Sequence, residues 1–308
     1  PGTRNPEPGT RNPEPGTPPP KPSAMHFTKF HGQGNDFLLL EAADFSGAAA
    51  SPEAQVALVQ AMCNRHYGAG ADGLITLERD LTSVADFRMR LWNADGSTAE
   101  MSGNGVRCAA AYACFTNQWT APVMRIATDA GVKTIQQQSR HGKEFWFEVD
   151  IGVPRLQAQE IPVLLDLPAP LVEIPIQAGN QEIRATLTSM GNPHCSVFVE
   201  TLDLAEVLEL GPQLERHPLF PARTNVEFIQ VCSPDHLRVL FWERGAGHTL
   251  SSGTGSCASS VAAMLCGKVN RSVTVETEAG ELQIRWPENG SVVLTGPACL
   301  VYRGEFEP

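Results

Sequence analysis

Glu100-Met101-Ser102-Gly103-Asn104-Gly105-Val106-Arg107-Cys108 and Leu250-Ser251-Ser252-Gly253-Thr254-Gly255-Ser256-Cys257 are matching stretches of one 308-residue chain. Each reads Ser-Gly-[Asn/Thr]-Gly and runs into a small, alanine-rich apolar segment, Cys108 to Phe115 in the first and Cys257 to Cys266 in the second. Alanine favours helix and almost nothing polar interrupts either run, so both predict buried helices. The glycines then fall at helix N-termini, where free backbone N–H groups and the positive dipole end favour an anion. Two such starts aimed at one point would grip a carboxylate from two sides. The plainer reading is two tight turns ahead of two core helices, with Ser102 and Ser252 as ordinary N-caps. The two serines lie 252 − 102 = 150 residues apart, which fits an internal duplication.

Working outward, short strands surround each candidate helix. In the first half, strands are expected at 26–29, 37–40, 74–77, 86–92, 122–128, 132–137 and 144–151, with a helix from Pro52 to about Cys63 capped by Ser51. Gly68 to Gly73 formally matches G-x-G-x-x-G, but Leu74-Ile75-Thr76-Leu77 follows it as a strand, and a dinucleotide site needs a helix there. In the second half, strands near 171–176, 181–187 and 195–199 flank a turn at Gly191-Asn192-Pro193-His194, and a helix is expected at 203–210. Further strands run through Gln230 and from Arg238 to Trp242. Others lie at 272–276, 280–286 and 291–295, and the tail from Ala298 to Arg303 adds one more. Many short strands around one apolar helix, twice over, predict two related α+β domains. Their expected limits are 25–150 and 151–297, with 298–308 as a terminal strand and tail that could return to the first half.

Residues 1–24 repeat Pro-Gly-Thr-Arg-Asn-Pro-Glu and have no apolar core, so a disordered low-complexity extension is expected there rather than a signal peptide. Net charge is −11, which argues against a nucleic-acid surface. No apolar stretch approaches a membrane span. The eight cysteines form no Cys-x-x-Cys pair and several sit in apolar runs, as reduced thiols of a cytoplasmic protein would. No His-Glu-x-x-His and no paired cysteines point to a metal, and no key stretch holds a lysine for pyridoxal, so neither metal nor cofactor is expected.

Taken together, the blocks resemble the diaminopimelate epimerases, a family of cofactor-independent amino-acid epimerases. The likeness runs from Met25 to about Arg303. It includes His31-Gly-Gln-Gly-Asn-Asp-Phe37, Asn64-Arg-His-Tyr-Gly-Ala-Gly-Ala-Asp-Gly73, Asn93-Ala-Asp-Gly-Ser97 and Ser102-Gly-Asn-Gly-Val-Arg-Cys108. It continues through Gly191-Asn-Pro-His194, Arg223-Thr-Asn225, Glu243-Arg-Gly-Ala-Gly247 and Ser252-Gly-Thr-Gly-Ser-Cys257. The resemblance implies an α+β fold of two pseudo-symmetric domains, each a β-barrel-like sheet wrapped around a central helix. Substrate would sit in the cleft between them. It also implies interconversion of L,L- and meso-diaminopimelate, for lysine and peptidoglycan precursors, and leaves room for a homodimer.

Carried onto this chain, the resemblance places the two proton-transfer positions at Ser102 and Ser252, with His194 and Glu243 assisting. The amides of Gly103, Asn104, Gly253 and Thr254 would hold the reacting carboxylate. Asn35, Asn93, Asn192, Asn225, Glu243 and Arg244 would hold the rest of the substrate, with Arg244 gripping a distal carboxylate as a fork. Apart from the family, a histidine after Asn-Pro reads as a turn residue, a lone Glu as surface charge, and asparagines in turns as backbone geometry.

The departure from the family is at the centre. Its members carry cysteine where Ser102 and Ser252 stand. A thiol ionises near 8.5 and a helix N-terminus lowers it further, whereas a serine hydroxyl is a far weaker acid. Three explanations stand side by side: a deliberate replacement of both thiols, a natural homologue that lost or changed its activity, or serines helped by a neighbour. The functional alternatives are a racemase or isomerase of another amino acid and a catalytically silent amino-acid-binding homologue.

Overall fold

A computed structural model describes residues 24–288 and 290–307. Apart from Ala24, the extension expected over 1–24 lies outside the described residues. The first half runs β1 (Met25–Gly32), β2 (Asn35–Glu41), α1 (Ala42–Ala48), α2 (Pro52–Cys63), β3 (Gly73–Arg79), β4 (Phe87–Asn93), β5 (Thr98–Ala99), α3 (Gly103–Phe115), β6 (Val123–Thr128), β7 (Gly131–His141) and β8 (Glu144–Gly152). The second runs β9 (Leu171–Ala178), β10 (Gln181–Ser189), β11 (Pro193–Phe198), α4 (Leu204–Glu215), β12 (Asn225–Ser233), β13 (His236–Glu243), β14 (Gly247–Thr249), α5 (Gly253–Leu265), β15 (Ser272–Thr277), β16 (Gly280–Arg285) and β17 (Val292–Phe306).

The halves share one plan. A hairpin, β1–β2, is followed by a parallel partner β3 reached through α2, and β10–β11 is followed by a parallel partner β12 reached through α4. Then β4 and β13 each pair antiparallel with the preceding strand and parallel with the strand after the central helix, β6 and β15. In the first half the ladder closes on itself. It runs β1, β2, β3, β4, β6, β7, β8, β17 and back to β1, an eight-stranded ring. β17 belongs to both halves, pairing with β16 near its start, with β8 from Val292 to Cys299, and with β1 from Cys299 to Phe306. The molecule is a two-domain α+β fold in which one continuous sheet, joined through β17, wraps two helices.

An eight-stranded ring leaves an interior only about as wide as its side chains fill. A helix about 10 Å across fits there only if its own side chains are short. That explains Cys108-Ala109-Ala110-Ala111 and Ala113 in α3, all fully buried; in the second half the equally small Cys257-Ala258 and Ala262-Ala263 of α5 are fully buried as well. One apolar core joins the alanines of both helices to Phe30, Phe145 and Phe147 from the first half and Val239, Phe241 and Ile284 from the second. None of the described helices is long and apolar enough to cross a membrane.

The structure corrects four local expectations. The turn expected at 191–194 ends sooner: Pro193 and His194 already belong to β11, where His194 pairs with Thr188 and is fully buried. The helix expected at 203–210 continues to Glu215 through Pro212. Gly211 lets the Trp242 ring lie against the helix, and Glu215 accepts from Trp242 Nε1 at 2.9 Å, so packing outweighs the proline penalty. The strands expected at 291–295 and 298–303 are one, because Gly296-Pro297 falls where β17 passes from β16 to β1. The short α1 was not anticipated; it packs Phe45 on Trp92.

Candidate active site

Both helix starts reach one cleft of about 1420 Å³ between the halves, lined by Ser102, Gly103, Asn104, Ser252, Gly253 and Thr254 among others. Ser102 caps α3 with φ −137° and ψ 127°, and Ser252 caps α5 with φ −135° and ψ 123°. Each hydroxyl accepts from the amide three residues on, Gly105 N at 3.1 Å and Gly255 N at 3.2 Å. The caps satisfy those amides and leave the earlier first-turn N–H groups, in residues that line the cleft, to a ligand. The helix starts face each other closely: a Cβ on Gly253 would lie 3.8 Å from Gly103 Cα and 4.0 Å from Asn104 Oδ1. A Cβ at Gly103 would meet nothing within 4 Å, so the two positive dipole ends converge on one small open volume.

Around this point the two sides differ. The Ser252 hydroxyl donates to Glu243 Oε2 at 3.0 Å, and Thr249 Oγ1 donates to Glu243 Oε1 at 2.7 Å. On the other side Asn104 Nδ2 donates to Asn35 Oδ1 at 3.4 Å, and Asn35 Nδ2 to Asp72 Oδ2 at 3.0 Å. Behind Asn35, burial pushes the Asp36 carboxyl up, but hydrogen bonds from Arg65, Lys29 and the Asp72 amide outweigh it and hold it at about 2. Asn93 stands on the cleft wall, donating to Ser97 Oγ at 2.9 Å. Asn192 lines the cleft too and donates to Thr254 Oγ1 at 3.4 Å.

His194 and Asn225 sit one layer behind the lining residues. His194 Nε2 meets Asn192 Oδ1 at 2.9 Å, and its Nδ1 meets Glu227 Oε1 at 2.6 Å. Glu227 is buried as well, which pushes its carboxyl up, against the pull of His194 and Ser196. Asn225 is spent on backbone: Nδ2 donates to Pro193 O at 2.9 Å, and Oδ1 accepts from Arg244 N at 3.0 Å. It thereby staples the loop carrying Arg244, whose exposed guanidinium lines the cleft and donates to Ala222 O at 3.1 Å.

With that geometry in place, comparison with known proteins is decisive. The family model described as diaminopimelate epimerase matches residues 27–157 and 186–301. The chain belongs to the diaminopimelate epimerase family. It is 45% identical over 282 residues to the diaminopimelate epimerase of Pelotomaculum thermopropionicum, covering 92% of this chain and 99% of that one. It is 44% identical over 283 residues to that of Moorella thermoacetica, with the same coverage. Among solved structures, a hydroxyproline epimerase from Agrobacterium vitis superposes with a TM-score of 0.65 at 16% identity, over 92% of this chain and 91% of that one. A PhzF-family phenazine biosynthesis protein from Bacillus anthracis gives 0.65 at 15%, over 92% and 99%. At such low identity these two speak for the fold alone.

In a diaminopimelate epimerase scaffold with serine at both caps, no described cysteine lines the cleft in their place. Cys108 and Cys257 are the cysteines nearest the caps in sequence, and both are fully buried in the core. Burial pushes each to about 12, so neither supplies a thiolate at neutral pH. Two residues around the site were not singled out from sequence. Glu227 interrupts the apolar run Val226-Glu227-Phe228, and Arg107 is the one charge in the alanine-rich helix α3. A charge inside an otherwise apolar element is the signal that marks both.

Proposed function

We propose that this chain interconverts L,L- and meso-diaminopimelate by moving a Cα proton from one face to the other without a cofactor. In this form it binds substrate but turns it over weakly or not at all. The reaction belongs to the synthesis of lysine and peptidoglycan precursors, in the cytoplasm. The observation that carries the reading is the approach of Gly103 to Gly253, which brings two capped helix starts to a single point.

A substrate carboxylate between those starts would accept from the amides of Gly103, Asn104, Gly253 and Thr254. As the Cα proton leaves, charge moves onto that carboxylate, and fixed N–H dipoles already aimed there stabilise it without reorganising. The cap positions flank the same point, so one would remove a proton while the other returns one to the opposite face. Glu243 accepts from the group at 252 and so holds it protonated, as a donor requires. Arg244 and the cleft-lining Asn35, Asn93 and Asn192 would hold the far amino-acid end, with Asn225 bracing the Arg244 loop from behind, and their unsatisfied groups would reject substrates that lack it.

The serines themselves favour a second reading, a silent amino-acid binder on the same scaffold, because their alkoxides are scarcely populated. Both readings are tested by deuterium uptake at Cα in heavy water alongside calorimetric titration with diaminopimelate. Binding with uptake restored by Ser102→Cys/Ser252→Cys supports the epimerase. Binding with no uptake even then leaves the binder, and tighter binding of a different amino acid reassigns the substrate. A homodimer is expected and is checked by light scattering.

A further inference from the structure

Arg107 is the largest fully buried side chain among the described residues. All three of its hydrogen bonds go to neutral oxygens: Nε to Pro297 O at 3.2 Å, Nη1 to Gly103 O at 3.1 Å, and Nη2 to Asn104 Oδ1 at 2.6 Å. No carboxylate pairs with it among the described residues. Its niche is built for it. A Cβ at Gly32 would lie 3.2 Å from Nη2, and one at Gly296 would lie 3.4 Å from Cζ.

As a structural device this is a poor choice. Burying a cation without a counter-charge is unfavourable, and a well-packed apolar side chain serves stability better. The position makes it worse, because Arg107 sits near the N-terminal end of α3, where the helix dipole is already positive. The duplicated half does without it: 107 + 150 = 257, and Cys257 stands there as a buried, neutral thiol. An anion at the mouth of α3 would relieve the excess charge.

We infer that Arg107 is a positioning residue for the anionic head group, which makes the α3 start the stronger carboxylate-binding half of the clamp. It acts through two groups it holds. The carbonyl it grips, Gly103 O, belongs to the same peptide as the Asn104 N–H, so the hydrogen bond polarises that donor. The amide oxygen it grips fixes Asn104 with its Nδ2 turned towards Asn35. This deepens the proposed function and rests on its reading of the cleft as a carboxylate site.

The test compares Arg107→Met, Arg107→Gln and Arg107→Lys with the parent. Diaminopimelate binding is followed by calorimetry, and acetate binding by the amide resonances of Gly103 and Asn104. The neutral variants should bind both probes about 30-fold more weakly, equivalent to about 2 kcal/mol, while Arg107→Lys stays within about fivefold of the parent. The urea midpoints of the neutral variants should not fall, a combination that loss of a merely structural contact does not produce. Where Arg107→Met fails to fold, Arg107→Gln against Arg107→Lys decides alone. Neutral variants that bind as the parent does, or that weaken only as much as Arg107→Lys, overturn the inference. A parent that binds acetate but not diaminopimelate overturns the proposed function, and the variants then decide on Arg107 through acetate. A parent that binds neither overturns both.

Discussion

The Ser252 hydroxyl donates to Glu243 Oε2 at 3.0 Å, whereas Ser102, its counterpart 150 residues earlier, has no carboxylate partner among the described residues. The two cap positions are therefore equivalent in backbone and unequal in charge. Restoring thiols tests what they do. Ser102→Cys/Ser252→Cys should raise Cα exchange by about 10²–10⁴-fold over the parent, the range of a working general acid–base pair. Each single variant keeps a competent base on one face only, so it should exchange one epimer without inverting it. Proton NMR of diaminopimelate in heavy water reads both quantities. A parent already as fast as the double variant would show that the hydroxyls suffice.

Glu243 should set the ionisation of the group at 252. A negative charge beside a thiol disfavours the thiolate and raises its pKa. In the cysteine-restored protein, Glu243→Gln removes that charge and keeps the shape. The alkaline limb of the kcat/KM profile should then move to lower pH by about one unit. An unmoved limb would mean that Glu243 only braces Thr249 and the cap.

The glycines three residues after each cap predict unequal outcomes for one substitution. Alanine in a helix is favoured over glycine by about 1 kcal/mol. At Gly255, however, a Cβ would lie 2.9 Å from the Phe241 ring and 3.0 Å from Ser252 Cβ. Gly255→Ala should cost about 2 kcal/mol in urea unfolding, as overpacked cores do, and should weaken ligand binding by shifting the cap. At Gly105 the nearest atoms are at 3.2 and 3.3 Å, one of them the movable Ile75 Cδ1, so Gly105→Ala should stay within about 1 kcal/mol of the parent.

What the sequence makes legible here is whatever residue type and period state together. The alanine runs after Ser-Gly-x-Gly can be little else than thin helices inside a wrapped sheet, and their 150-residue spacing exposes the duplication. Local rules fail where a distant partner overrides them. Pro297 reads as a strand end because nothing nearby reveals that β1 takes over from β16 at that point. Asn192-Pro193-His194 reads as a turn because the buried Glu227 that holds His194 in β11 lies 33 residues on. Arg107 is visible as a lone charge, but the oxygens that receive it come from α3 itself and from Pro297, 190 residues away. Blocks of motif thus name the cleft, and only the three-dimensional contacts separate the residues that line it from those that stand behind.

The Asp36 cluster supplies the pH dependence of the scaffold behind Asn35. Its carboxyl is held at about 2 against an ordinary 3.8, by ion pairs with Lys29 at 2.7 Å and Arg65 at 2.9 Å that overcome its burial. A depressed carboxylate stabilises the fold above its unfolded pKa and loses that contribution as pH falls through its folded pKa. The window is therefore pH 4 down to pH 2, and the loss on acidification is on the order of 2 kcal/mol. Urea unfolding at pH 6 and pH 2.5 should show the parent losing more than Asp36→Asn does. The variant should already be weaker at pH 6, since Lys29 is left largely buried without its counter-charge. The same variant should loosen Asp72, which the Asp36 carboxyl holds through its amide at 2.8 Å, and with it Asn35 on the cleft wall. Weaker diaminopimelate binding at pH 6 is the expected sign. Equal acid sensitivity in parent and variant would place the titrating group elsewhere.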